Sequence, residues 1–177
     1  ITAPAPEGAL RGTLTLPEEV RAAALIIPGS GPTDRDGNGP LVQSDSYRML
    51  AEALAGHGIA AARIDKRGMF GSAGAGDANA VSMAAHAADT RAWAGALLAE
   101  PDLGPAGCVW LIGHSEGGVV AVSAVLEDPK PFCGVVLLAT PGRKLGWTLR
   151  NQFGGIIRDR GHREAAIAGV GVLDAGR

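Results

Sequence analysis

The apolar positions of this chain change rhythm after about the first twenty residues. Through Leu10-Arg11-Gly12-Thr13-Leu14-Thr15-Leu16 apolar and polar residues alternate with period two, the mark of a half-exposed strand, and Pro17 stops it. Residues 1–9, rich in proline and glycine, read as irregular. Ala22 to Ile27 is an unbroken apolar run, as expected of a strand covered on both faces in a parallel sheet, and Ile59 to Ile64, Cys108 to Ile112 and Cys133 to Ala139 are the further predicted strands. Helical periods lie between them. One spans about Ser46 to Gly56, with Ser44 or Asp45 as cap and Met49, Leu50, Ala53 and Leu54 on its packing face. A longer one opens at Val81 or Ser82 and runs to about Glu100, packing through Trp93 and Leu97, and a third covers Gly117 to about Leu126. Strands alternating with helices predict an α/β fold, a mostly parallel sheet with right-handed crossovers and ligands gathering at the strands' C-terminal ends. The loops at Pro28, Asp65, Ser115 and Thr140 all follow strands at that edge. After Gly142 the pattern turns amphipathic, then basic and glycine-interrupted, with no further strand.

Composition narrows the partners. With 177 residues, 46% of them hydrophobic, and a net charge of −2, the chain suits one ordinary soluble domain, without repeats or a dividing linker. The 16 basic residues form no cluster that would track nucleic acid or an anionic membrane, so small neutral substrates are the expected partners. No apolar run approaches the roughly 20 residues that span a bilayer. Cys108 and Cys133, at the starts of two predicted strands, read as buried free thiols. A first residue of Ile1 implies a processed or cut N-terminus, which leaves the compartment open between cytoplasm and periplasm; the oligomeric state is open too.

The candidate chemistry centres on Gly113-His114-Ser115-Glu116-Gly117, with Gly118 behind it, between a strand and a helix. In that context GxSxG describes a sharp elbow whose serine takes a strained backbone conformation, with Gly113 and Gly117 small enough not to collide. The turn lifts the Ser115 hydroxyl clear of the sheet beside the positive end of the next helix, which makes it a candidate nucleophile. An oxyanion hole needs two backbone N–H groups: Glu116 supplies one, and the Gly29-Ser30-Gly31 turn, through Ser30, the other. Asp65 and Arg67 are expected to fix the loops near this site, with substrate binding by Asp65, Lys66 or Arg67 as the alternative. No metal or cofactor is required.

Together the runs GSGPTDRDGNG, DKRG and GHSEGG, in that order, resemble the α/β-hydrolase superfamily and, more narrowly, the EstD-like bacterial serine esterases, over roughly residues 10–155. The resemblance implies an α/β-hydrolase sheet with helices on both faces and hydrolysis of small carboxylic esters through an acyl-enzyme, with a histidine base oriented by an acid. Pro28 departs from it, standing where many members carry histidine. In the family the acid and histidine follow later strands, which this chain does not reach. His162 with Asp159 or Asp174 has the right order but no strand to position it, and His57 and His86 read as surface residues. His114 belongs to the elbow backbone, with its side chain directed elsewhere. The reading is therefore of a fold incomplete at its C-terminal end: 1–142 as the N-terminal portion of one domain, 143–177 as the start of a helical lid insertion, and the Cys133 to Ala139 strand as an uncovered edge. Two alternatives share the scaffold: a noncatalytic binding protein, and acyl transfer, thioester or peptide-bond cleavage.

One rival pattern lies in Asp34-Arg35-Asp36-Gly37-Asn38-Gly39-Pro40-Leu41-Val42-Gln43-Ser44-Asp45, which sets oxygen ligands and a glycine as an EF-hand calcium loop does. Its last ligand is Asp where a bidentate Glu belongs, and a strand precedes it where a helix should. Hydrogen bonds and ion pairs that hold the loop are the preferred reading.

Overall fold

The computed structural model describes residues 1–143, 146–148, 150 and 151. The chain divides into two compact units, Ile1–Thr140 and Pro141–Arg177. Within the first, strands β1 (Thr2–Ala5), β2 (Gly8–Thr15), β3 (Ala22–Ile27), β4 (Ile59–Ile64), β5 (Val109–His114) and β6 (Phe132–Leu138) form one sheet in the order β1-β2-β4-β3-β5-β6. The first two pairings, β1 with β2 and β2 with β4, are antiparallel, and the rest are parallel. Helices α1 (Ser46–Ala55), α2 (Met83–Leu98) and α3 (Glu116–Glu127) connect the parallel strands.

The unbroken apolar run has the expected cause. Along β3, Ala23, Leu25 and Ile27 pack with Trp93, Ala94 and Leu97 of α2 and Val120 and Ala121 of α3, while Ala24 and Ile26 pack with Tyr47 and Ala51 of α1. Successive residues of a strand face opposite ways, so a strand covered on both sides is apolar on both faces; in β4 the buried Arg63 is the exception and pairs with Asp36. The start of α2 is also as read, with Ser82 accepting a hydrogen bond from Ala85 N–H as its N-cap. Among the described residues no helix is long and apolar enough to cross a membrane.

Four expectations are corrected. Residues 2–5 are not irregular; they form β1, which among the described residues is an edge strand paired with β2 alone, a position that tolerates Pro4. The buried stripe of α1 is Tyr47, Leu50, Ala51 and Leu54, whereas Met49 and Ala53 face solvent. Asp45 stands at the N-cap position of α1 but makes no capping bond through its side chain. Finally, Cys108 and Cys133 are joined in a disulfide with Cα atoms 5.3 Å apart. The parallel pairing of β5 and β6, with Val109 opposite Phe132, brings the two strand starts side by side, a proximity that sequence position does not reveal.

At the other side of the sheet β6 is a terminal strand among the described residues, and its Val136, Leu137 and Leu138 are exposed. In the second unit residues 146–148, 150 and 151 are helical, consistent with the amphipathic pattern there. Asp159, His162 and Asp174, with most of the 143–177 segment, lie outside the described residues.

Candidate active site

Strand β5 runs directly into the elbow. Ser115 stands at φ 52°, ψ −119°, a conformation side chains avoid, and α3 begins at the next residue. Its N–H donates to Leu138 O at 2.8 Å and its carbonyl accepts from Gly118 N–H at 3.1 Å, so the backbone of the turn is held on both sides. The flanking glycines are required, though not all for the expected reason. A Cβ on Gly113 would sit 2.5 Å from Gly117 O, which is the anticipated collision. A Cβ on Gly117 would meet Pro28 O at 2.5 Å, and one on Gly118 would meet Thr140 Cγ2 at 2.7 Å. The α3 N-terminus is thus pressed against the end of β3 and the loop after β6.

The loop after β3 lies over the elbow. A Cβ on Gly29 would be 3.3 Å from Ser115 Cβ and 3.1 Å from His114 Nδ1, so only a bare backbone fits comfortably between them. Gly29 N–H donates to Tyr47 Oη at 3.3 Å and Gly29 O accepts from Lys66 Nζ at 2.6 Å. Tyr47 Oη also lies 2.7 Å from His114 Nδ1, with the two rings edge to face. Burial pushes the Tyr47 phenol above its ordinary range, so it remains protonated at neutral pH. The phenol thus links Gly29 N–H to the His114 ring. The His114 side chain therefore does not turn away from the site, as expected from sequence, but packs beside Ser115 and Gly29. The N–H groups of Ser30 and Glu116 donate to no other described group.

The DKRG run after β4 anchors these loops. Asp65, 2% exposed, accepts from Arg35 N–H at 2.9 Å, from the Arg35 guanidinium and from Gly71 N–H at 3.0 Å. It thereby ties the Pro28 loop to the Gly-rich turn beyond β4. Arg67 forms a buried bidentate pair with Asp89 of α2. Lys66 lies 3.8 Å from Glu116 Oε2 under the elbow. His86, expected on the surface, is half-buried and shares a small pocket with Lys66, Asp89, Trp93 and Glu116; burial, then the Lys66 charge, lowers its pKa. His57 is exposed at the end of α1, as read.

The calcium-like loop staples itself. Asp34 Oδ1 accepts from Asp36 and Asn38 N–H groups at 2.8 Å each, Asn38 Oδ1 accepts from Ser44 and Asp45 N–H groups at 2.9 Å each, and Asp36 pairs with Arg63. Asp45 is engaged by Asn38 and Arg48, which hold its carboxyl below the usual carboxylate range. Among the described residues no group of three His, Cys, Asp or Glu side chains is placed to hold a metal ion.

Ser115, His114, Gly29, Ser30 and Tyr47 line a cleft of ≈ 510 Å³, walled further by Pro32, Pro40, Leu41 and Val42. No carboxylate stands among these described lining residues. Tyr47 and Asp89 are the contributors that sequence reading missed. The i, i+4 pairing of Tyr47 with Ala51 was the available sign that it faces inward.

A six-stranded mixed sheet, helices on both faces and a strained serine between β5 and α3 define an α/β-hydrolase. The family model described as serine aminopeptidase, S33, matches residues 38–148, more than half of the sequence, and the chain belongs to that family. A comparison with curated proteins finds no match. Among solved structures, a dienelactone hydrolase from Anabaena variabilis is similar at 23% identity and a TM-score of 0.63, covering 79% of this chain and 62% of that one. A proline iminopeptidase from Mycobacterium smegmatis is 14% identical with a TM-score of 0.64, over 88% of this chain and 48% of that one. A thermostable carboxyl esterase from Bacillus coagulans is 16% identical with a TM-score of 0.61, over 88% and 49%. In each case the chain spans less than two thirds of the related structure.

Proposed function

We propose that the protein is a serine hydrolase that cleaves small carboxylic esters through an acyl-enzyme. Ser115 Oγ gives its proton to a base and attacks the ester carbonyl; the oxyanion that forms takes hydrogen bonds from Ser30 and Glu116 N–H. The C–O bond then breaks, the alcohol leaves with the proton, and water releases the acid. The observation that carries this reading is the strained conformation of Ser115 at φ 52°, since such strain persists where a site requires it. That neither Ser30 N–H nor Glu116 N–H donates to another group among the described residues supports the oxyanion assignment. The triad acid and base are assigned to no described residue: His114 Nδ1 is engaged by Tyr47, and His86 lines a separate, smaller pocket with Lys66 and Glu116. The terminal place of β6 among the described strands, with Val136, Leu137 and Leu138 exposed, supports the view that a further strand pairs there in the whole, EstD-like enzyme, with 143–177 leading into a lid.

A peptidase is the second reading, favoured by the family description, which names an aminopeptidase. The absence of a carboxylate among the described cleft residues argues against capture of a free amino terminus and for a neutral ester. Hydrolysis of p-nitrophenyl butyrate and of aminoacyl p-nitroanilides by the full-length protein tests the choice. Ester cleavage lost in Ser115→Ala is the expected result. Folded protein whose Ser115 resists a fluorophosphonate probe would leave the noncatalytic alternative standing.

A further inference from the structure

Lys66 reaches under the elbow from the end of β4, and its side chain is only 8% exposed. Its ammonium donates to Gly29 O at 2.6 Å and faces Glu116 Oε2 at 3.8 Å, while Tyr47 Oη takes the Gly29 N–H. Gly29 is thus gripped at both of its polar backbone atoms. The consequence falls on the next residue. In a trans peptide the C=O and the following N–H point in opposite directions, and no described peptide is cis. With Gly29 O turned toward Lys66, Ser30 N–H is turned the other way. Ser30 and Ser115 line the open cleft, whereas Lys66 and Glu116 line a separate, smaller pocket. A cation on the carbonyl oxygen also polarises the amide and strengthens its N–H as a donor.

We propose that Lys66, neutralised by Glu116, is a positioning residue that presets the Gly29–Ser30 peptide as an oxyanion donor. The inference rests on Ser115 as nucleophile. Lys66 joins the two donor segments, holding one through its carbonyl and the other through the side chain of Glu116. A neutral anchor would hold the loop without a buried charge; burial lowers the Lys66 pKa, and Glu116 opposes that fall.

The test uses the full-length protein, with active sites counted by fluorophosphonate labelling. Lys66→Met keeps the stem and removes the ammonium. Its kcat per labelled site should fall about 10- to 100-fold, as expected for a donor displaced by a fraction of an ångström, with KM within about threefold. Affinity for a trifluoromethyl ketone, whose serine adduct carries the oxyanion, should fall in step with kcat. A merely structural lysine would lower Tm and the labelled fraction but leave kcat per site within about threefold, and that result overturns the proposal. Should Lys66→Met not fold, Lys66→Gln retains a donor without the charge and should lose roughly threefold to tenfold in the same readouts; no loss overturns the proposal. Ester hydrolysis that survives Ser115→Ala would instead remove the nucleophile reading on which the inference stands.

Discussion

A Ser115→Gly variant is expected to be more stable than Ser115→Ala, although neither retains a nucleophile. Ser115 occupies φ 52°, ψ −119°, and a residue with a Cβ held in so sparsely populated a region costs about 1–3 kcal/mol. Glycine adopts this conformation freely but leaves the unfolded chain with more freedom, which costs about 0.5–1 kcal/mol. Subtracting the two gives about 0–2.5 kcal/mol in favour of glycine, roughly 1 kcal/mol at the midpoints. Both variants lack Oγ, and the Ser115 side chain makes no capping bond to α3, so comparing them isolates the backbone. At about 2–4 °C per kcal/mol, the midpoint gain corresponds to about 2–4 °C in Tm. Thermal unfolding of the two full-length variants, followed by circular dichroism and repeated in urea, measures it. Equal stability, or a less stable glycine variant, would refute the argument that the elbow stores strain.

Asp89→Ala should lower Tm by about 6–20 °C, because breaking a buried pair costs about 3–5 kcal/mol and leaves the Arg67 guanidinium uncompensated. An unchanged melting curve would show that the pair is not closed in solution. The Cys108–Cys133 bond spans 25 residues and should contribute about 2–4 kcal/mol, so the native protein is expected to show no titratable thiol and a lower Tm after reduction; two free thiols in folded, air-exposed protein would contradict it. His86 carries a sign that can be checked. Its folded pKa is lowered below the ordinary histidine value of 6.5, chiefly by burial, so the unfolded chain binds more protons in the window below 6.5 and stability falls as pH drops through it. His86→Gln should weaken that dependence between pH 7 and 5, and an identical slope in both proteins would exclude His86 as its source.

Much of this was visible in one dimension. The run from Ala22 to Ile27 had to be a strand covered on both faces, because no polar residue interrupts it. GxSxG between such a strand and a helix announced the turn that Ser115 makes. What stayed hidden depended on partners far along the chain. Residues 2–5 look irregular until β2 is there to pair with them, and the stripe of α1 was misplaced because a ten-residue helix leaves its phase weakly defined. Tyr47 is an unremarkable residue in α1 until the fold sets it 2.7 Å from His114, which is 67 positions away. Lys66 could be named as a candidate but not given a role.

The sequence by itself determined the alternation of strands and helices, the elbow at Ser115 and the sheet edge at which the loops collect, since each follows from patterns within a few residues. The tertiary structure decided the rest: that Cys108 meets Cys133, that Gly117 is required by the carbonyls ending β3, and that Gly29 is held between Tyr47 and Lys66. These are contacts between segments tens of residues apart. Their distances are set by how the strands pair and the helices pack, and nothing in the local order of residues encodes them separately from the fold.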